Sequence, residues 1–192
     1  MPELILASTS SYRRSLLQRL GLPFSVADPQ VDETPLKGER PLALATRLAG
    51  AKALRIANQR PTAVVIGADQ VADLDGAPIN KPGNHERAVA QLRMLSGRTA
   101  VFHSAFCLAR VGSGQTVVEV VSTEVCYRRL DDATIERYLR IEQPYDCAGS
   151  AKAEGLGIAL VESIRCDDPT ALIGLPLIAL SRLLPDFGLS VP

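Results

Sequence analysis

The stretch Ala63–Lys81, AVVIGADQVADLDGAPINK, constrains the fold more than any other part of the chain. Its opening, Ala63-Val64-Val65-Ile66-Gly67, is a short apolar, β-branched run closed by glycine and reads as a strand buried on both faces. Asp69 and Gln70 follow at once. A carboxylate at the exit of such a strand is held by rigid backbone, and the strand ends of open α/β sheets are where ligands usually bind. Farther on, Asp75-Gly76 separates two short apolar segments and suits the positive φ angles of a tight hairpin. Folding back there returns Lys81 toward Asp69, and the two read equally as a plain ion pair or as the charged centre of a site.

Upstream, Glu3–Ala7 reads as a first strand, and Ser8-Thr9-Ser10-Ser11 as hydroxyls suited to cap a helix from Tyr12 to Leu20, which stops at Gly21. A strand leading through hydroxyls into a helix N-terminus is a ready anion site, because free N–H groups and the positive dipole end face the ligand. Arg13 and Arg14 in that first turn oppose the dipole, so they read as partners of a bound anion or as two solvated cations. After a short strand at Phe24–Ala27, the polar loop Asp28–Arg40 carries Asp32 and Glu33. Pro41 then starts a helix to about Asn58 whose buried stripe includes Lys52, as a phosphate ligand or as a lysine snorkelling to solvent.

Asn84 is expected to cap a helix through Leu95. Thr99–Val111 and Gln115–Tyr127 form a long antiparallel hairpin around Gly112-Ser113-Gly114, and Leu130–Ile141 reads as a helix. The small-residue segment Cys147–Gly157, bearing Lys152 and Glu154, leads to a strand at Ile158–Val161, and a last amphipathic helix covers Leu177–Leu184.

With 46% hydrophobic and 22% charged residues over 192 positions, the chain is expected to form one globular domain, 1–192. Lys+Arg and Asp+Glu balance at 21 each, so no overall field favours a nucleic-acid polymer or a membrane surface, and any phosphate must be met by a local cluster. The start lacks the charge and apolar length of a signal peptide, and no later run approaches the ~20 apolar residues of a span; a cytoplasmic protein is expected. Cys107, Cys126, Cys147 and Cys166, about twenty residues apart, fit neither a zinc site nor a disulfide framework and read as reduced, mostly buried thiols. His85 and His103 leave little for a histidine-rich metal centre or a Ser-His-Asp triad, so any metal is expected on oxygen ligands.

Three separated features, Ser8-Thr-Ser-Ser-Tyr12-Arg13-Arg14, Asp32-Glu33, and Gly67-Ala-Asp69-Gln70 followed by Lys81, together resemble the Maf family of nucleoside triphosphate pyrophosphatases, from Glu3 to Leu184. The resemblance implies a mixed α/β, Maf/ITPase-like fold: a long mixed sheet with flanking helices and two lobes around a central cleft. It also implies hydrolysis of a nucleoside triphosphate to its monophosphate and diphosphate with a divalent cation (Mg²⁺, Mn²⁺ or Co²⁺), commonly by a homodimer.

Carried onto this chain, the resemblance makes Asp69 the general base and a metal ligand with Glu33. Ser8, Arg13, Arg14, Lys52 and Lys81 become phosphate ligands, and Tyr12, Gln70 and Glu154 read the base. Tyr12-Arg13-Arg14, Asp69-Gln70 and Ser150-x-Lys152-x-Glu154 look like the subgroup acting on 7-methyl-GTP, in which N7 methylation puts positive charge on the purine. Members directed at dTTP and UTP carry other residues at those places. Ser11 departs from the family pattern, which has proline before the aromatic residue. The alternatives are a pyrophosphatase for dTTP, UTP or another modified nucleotide, and a nucleotide-binding regulator of cell division without turnover.

Overall fold

The computed structural model describes residues 2–191. Seven strands form one sheet in the order β2-β1-β3-β5-β6-β7, with β4 paired to β3 off this path. Two β3 neighbours meet it in opposite senses: β1 (Leu4–Ala7) runs parallel to β3 (Val64–Leu74), whereas β5 (Thr99–Arg110) is antiparallel to it. β2 (Ser25–Ala27) extends the parallel part; β6 (Gln115–Tyr127) and β7 (Val161–Arg165) extend the antiparallel part.

Helices cover both faces. α1 (Ser11–Gln18) and α5 (Leu177–Leu183) pack with Leu4, Leu6, Ile66, Phe106 and Leu108 on one side. α2 (Pro41–Ala57) covers Ile5, Val65, Ala105 and Cys107 on the other. A third cluster lies farther along the same strands, where Ala72, Phe102, Val125 and Tyr127 meet α3 (His85–Leu95) and α4 (Asp132–Glu142). The long hairpin thus serves two lobes, and a cleft opens between them.

The expected strand at Ala63–Gly67 turns out longer. β3 continues through Asp69 and Gln70 to Leu74, so Asp69 lies mid-strand opposite Ala105 instead of at a strand exit. The reason is its neighbour on the other side: β1 ends at Ala7, opposite Gly67, and the chain turns into α1. Beyond Gly67 that edge of β3 lacks the β1 partner, and the expectation survives in altered form, because the site sits where the parallel pairing stops. The Asp75-Gly76 turn has φ of 55° and 86°, as a tight hairpin demands, and β4 (Ala77–Ile79) returns along β3.

Other boundaries also move. α1 stops at Gln18 before Gly21, which has φ 68°. The strand expected at Ile158–Val161 is instead a 3₁₀ turn over Leu156–Leu160 followed by β7. Gly157 explains the turn, since a Cβ there would lie 2.4 Å from the Lys152 carbonyl oxygen. Of the four free cysteines only Cys107 is fully buried, and burial pushes its thiol up to about 11; the other three are partly exposed, against expectation.

One glycine sets the distance between α2 and the sheet. A Cβ on Gly67 would come within 2.3 Å of both the Ala49 carbonyl oxygen and the Ala53 amide nitrogen, which are backbone atoms that cannot rotate away. Ala45, Ala49 and Ala53 complete this close seam, all fully buried. Gly67→Ala is therefore expected to push α2 off β3 at a cost of about 1–3 kcal/mol or more. Thermal melting should fall by several degrees, roughly 2–4 °C per kcal/mol at this chain length. An unchanged melting temperature would refute the steric account of this seam.

Candidate active site

Lys52, on the sheet-facing side of α2, is 5% exposed and its ammonium is held within the molecule. Its Nζ lies 2.6 Å from Asp69 Oδ1 on β3 and 2.6 Å from Glu33 Oε1 on the loop before α2. Asp69 is 7% exposed, whereas the Glu33 side chain is largely open to solvent. A lysine snorkelling outward would end in water; this one ends between two carboxylates. The expected pairing of Asp69 with Lys81 is not what forms, because Lys52 occupies that carboxylate from the helix side. Lys81 lines the cleft without an ion-pair partner among the described residues, close enough for its charge to act on Glu33.

Burial pushes the Glu33 carboxyl up, but the hydrogen bond and charge of Lys52, with Lys81 and Arg13 behind it, outweigh that and hold it below its ordinary value. Burial lowers the Arg13 guanidinium, with Asp69 and Glu33 opposing the shift. The cluster thus gathers Arg13, Lys52 and Lys81 against Glu33 and Asp69, one positive charge in excess.

α1 presents Arg13 to this cluster. Ser10 caps the helix by accepting from the Arg13 amide, and Ser8, buried at the end of β1, accepts from Arg13 Nη1 at 3.3 Å. Ser8 keeps its own hydroxyl proton to donate. Arg14 is not brought to the cleft. Successive helical residues point about 100° apart, so Arg14 is exposed beside Gln18 and Leu22 on a separate surface depression.

Gln70 also differs from its expected part as a reader of a base. Its Nε2 donates to Ala171 O at 3.0 Å, to Leu172 O at 2.9 Å and toward Ser104 Oγ at 2.8 Å, so its amide protons are committed to the protein. Two backbone carbonyls at one end of the amide fix its orientation. What remains for a ligand is the Gln70 carbonyl oxygen.

The segment Gln70 holds, residues 168–176, reads in the sequence as punctuation at Asp168-Pro169 and Gly174-Leu-Pro176 before the last helix, and that reading gives it no functional part. Asp168, buried, accepts from the Thr170 amide and from Ile178 N in the first turn of α5, and the Thr170 hydroxyl accepts from Leu177 N. Gly174 O then accepts from Arg13 Nε at 3.0 Å. The segment is a brace running from β3 and β5 to the Arg13 guanidinium. The one signal in the sequence was Asp168-Pro-Thr170, an Asx-type turn preceding a helix.

Tyr12 also lines the cleft; it is partly exposed and its hydroxyl donates to Asp146 Oδ2 at 3.3 Å. Burial first, then Cys147 and Asp146, raise the Tyr12 phenol above its ordinary value, and burial pushes Cys147 up to about 11. Glu154 is exposed on the same cleft with no cationic partner among the described residues; the neighbouring Lys152 Nζ lies 3.6 Å from Glu142 instead. The cleft has a volume of about 740 Å³, ample for a nucleotide. Neither histidine lines it.

No cluster of three or more His, Cys, Asp or Glu capable of holding a metal occurs among the described residues. Glu33 and Asp69 nonetheless converge on one Nζ, which places their bonded oxygens no farther apart than twice 2.6 Å. Two carboxylates with a free oxygen each suit a hard divalent cation of the kind that takes its remaining ligands from water and substrate phosphate.

A protein from Polaromonas sp. (strain JS666) named 7-methyl-GTP pyrophosphatase is 60% identical over 188 residues, covering 98% of this chain and 86% of that one. Proteins of the same name from Burkholderia thailandensis (60% identity, 98% and 89% covered) and Cupriavidus metallidurans (56%, 97% and 94%) match similarly. Among solved structures, the Staphylococcus aureus Ham1 protein aligns with a TM-score of 0.48 at 17% identity over 65% of this chain and 71% of that one. The family model described as Maf-like protein matches residues 3–187, and this chain belongs to the Maf family.

Proposed function

We propose that the protein is a nucleoside triphosphate pyrophosphatase whose preferred substrate is 7-methyl-GTP, cleaved to 7-methyl-GMP and diphosphate. The observation that carries this reading is the Lys52 bridge between Asp69 and Glu33 inside a nucleotide-sized cleft that also presents Arg13 and Lys81. The relatives' shared name points to the same reaction. A nucleotide-binding regulator without turnover is less well supported, since it needs no carboxylate pair.

In the proposed mechanism Arg13, Lys81 and the Ser8 hydroxyl hold the triphosphate, and the backbone N–H groups at the start of α1 face it. Glu33 and Asp69 would hold a divalent cation (Mg²⁺, Mn²⁺ or Co²⁺), which when bound supplies charge neutralisation for the phosphoanhydride. Lys52 orients Asp69 through Oδ1, and the Asp69 carboxylate takes a proton from the attacking water. Water oxygen bonds to phosphorus as the α–β anhydride bond breaks, and the electron pair leaves on the departing phosphate oxygen. The base lies toward Tyr12 and Glu154, where a cationic purine meets an aromatic face and a carboxylate. Action in the cytoplasm, as a homodimer, completes the proposal; no helix of the described residues is long and apolar enough to cross a membrane.

Pyrophosphate release from a panel of canonical and methylated triphosphates tests the reading. A kcat/KM for 7-methyl-GTP well above those for GTP, dTTP and UTP is expected; tight binding without product would favour the regulator. Asp69→Asn should lower kcat by ~10²–10⁴-fold with the circular-dichroism spectrum retained. Activity within a few-fold of the parent would remove Asp69 from the mechanism.

Lys52→Met preserves the stem and deletes the charge, leaving Asp69 buried without its cation. It should abolish most turnover and also cost roughly 3–5 kcal/mol of stability. A loss of melting temperature with normal kinetics would make Lys52 purely structural.

Chelation with EDTA is expected to stop pyrophosphate release, and added Mg²⁺, Mn²⁺ or Co²⁺ to restore it. Glu33→Gln should raise the metal concentration for half-activation by about tenfold or more. Full activity in EDTA would show that no divalent cation is required.

A further inference from the structure

The cleft lined by Arg13, Lys52 and Lys81 also carries two carboxylates, Glu154 and Asp146, that no cation neutralises among the described residues. Lys152, the cation nearest to Glu154 in sequence, is drawn away to Glu142. Asp146 differs from Glu154 in being positioned: Oδ2 accepts from the Tyr12 hydroxyl at 3.3 Å, and Oδ1 lies 3.4 Å from Cys147 Sγ.

We propose that Asp146 is a specificity-determining residue that selects a positively charged base, acting with the Tyr12 ring it anchors. This rests on the nucleotide reading above and names a recognition group beyond it. Three facts converge. The Tyr12 ring is at the start of α1, next to Arg13, so a nucleotide whose phosphates meet Arg13 brings its base within reach of Tyr12. The hydrogen bond from Tyr12 to Asp146 sets the carboxylate at the rim of that ring, where it can meet a base lying against the ring. Phe102, Tyr127 and Ala148 line the same cleft and offer a base an apolar surface, while Asp146 itself is exposed.

Either purine can donate its N1–H and N2–H groups to a carboxylate, and an N7-alkylated purine adds the charge attraction and the cation–π contact. Discrimination therefore comes from the pair: the ring favours any base, and the carboxylate favours the charged one.

The test is equilibrium binding of 7-methyl-GMP and GMP by calorimetry, which is independent of turnover, to the parent protein and to Asp146→Asn and Asp146→Glu. Asn keeps the hydrogen bond from Tyr12 and deletes the charge. The ratio of the two affinities is expected to fall on the order of five- to tenfold in Asp146→Asn and to be largely retained in Asp146→Glu. The matching loss in kinetics should appear in KM for 7-methyl-GTP, as expected for an interaction made equally in ground and transition states. An unchanged affinity ratio in Asp146→Asn overturns the proposal while leaving the pyrophosphatase reading intact. A parent protein that binds 7-methyl-GMP no better than GMP overturns it together with the preference for 7-methyl-GTP. Preferential binding by the parent without pyrophosphate release refutes the catalytic reading alone, and Asp146 is then judged by the binding ratios.

Discussion

Everything in the cleft depends on one ammonium group held between two carboxylates. Lys52 and Asp69 are both almost wholly removed from water, and two such charges, each costing several kcal/mol to desolvate, are a poor device for stabilising a fold. A hydrophobic pair of similar volume would do at least as well. The pair makes sense as a means of keeping a carboxylate ionised, oriented and dry enough to act on a phosphoanhydride. Glu33 enters from a mobile class of element, a surface loop, and its exposed side chain can leave Lys52 when a cation or phosphate arrives without unpacking the core.

The geometry that allows this pair is set by backbone packing. Gly67 lets α2 approach β3 closely enough for a lysine on one to reach an aspartate two residues farther along the other. On the opposite side of β3, the segment 168–176 ties the strand to Arg13 through Gln70, Ser104 and the Gly174 carbonyl. The buried Asp168 and Thr170 stiffen that segment with bonds to the start of α5. Arg13, Lys52 and Asp69 thus sit on three elements whose relative positions are each fixed by hydrogen bonds or close contact, which is the condition for aiming them at one ligand.

The termination of β1 at Ala7 is equally consequential. Had β1 run two residues farther, it would have covered the edge of β3 beside Asp69 and put Ser8 and Arg13 elsewhere. By ending there, it gives over the site to a turn of hydroxyls and a helix N-terminus, and the sheet continues on its other side as a long antiparallel hairpin that builds the second lobe.

The elements themselves were legible in the sequence. The alternation in Thr99–Val111 and Gln115–Tyr127, the Pro41 start of α2, the Asn84 cap and the Asp75-Gly76 turn are local signals, and each forms within a residue or two of its expected place. The motifs around Ser8, Glu33, Asp69 and Lys81 were legible too, because they are short and carry charge. What the sequence could not say is who pairs with whom. That Asp69 meets Lys52 and not Lys81, that Gln70 spends its amide on a loop a hundred residues away, that Arg14 faces outward and that Asp146 reaches Tyr12 are long-range outcomes of helix phase and sheet pairing. Local pattern encodes which residues are charged or buried; only tertiary packing, which brings distant elements within 3 Å, decides the partners.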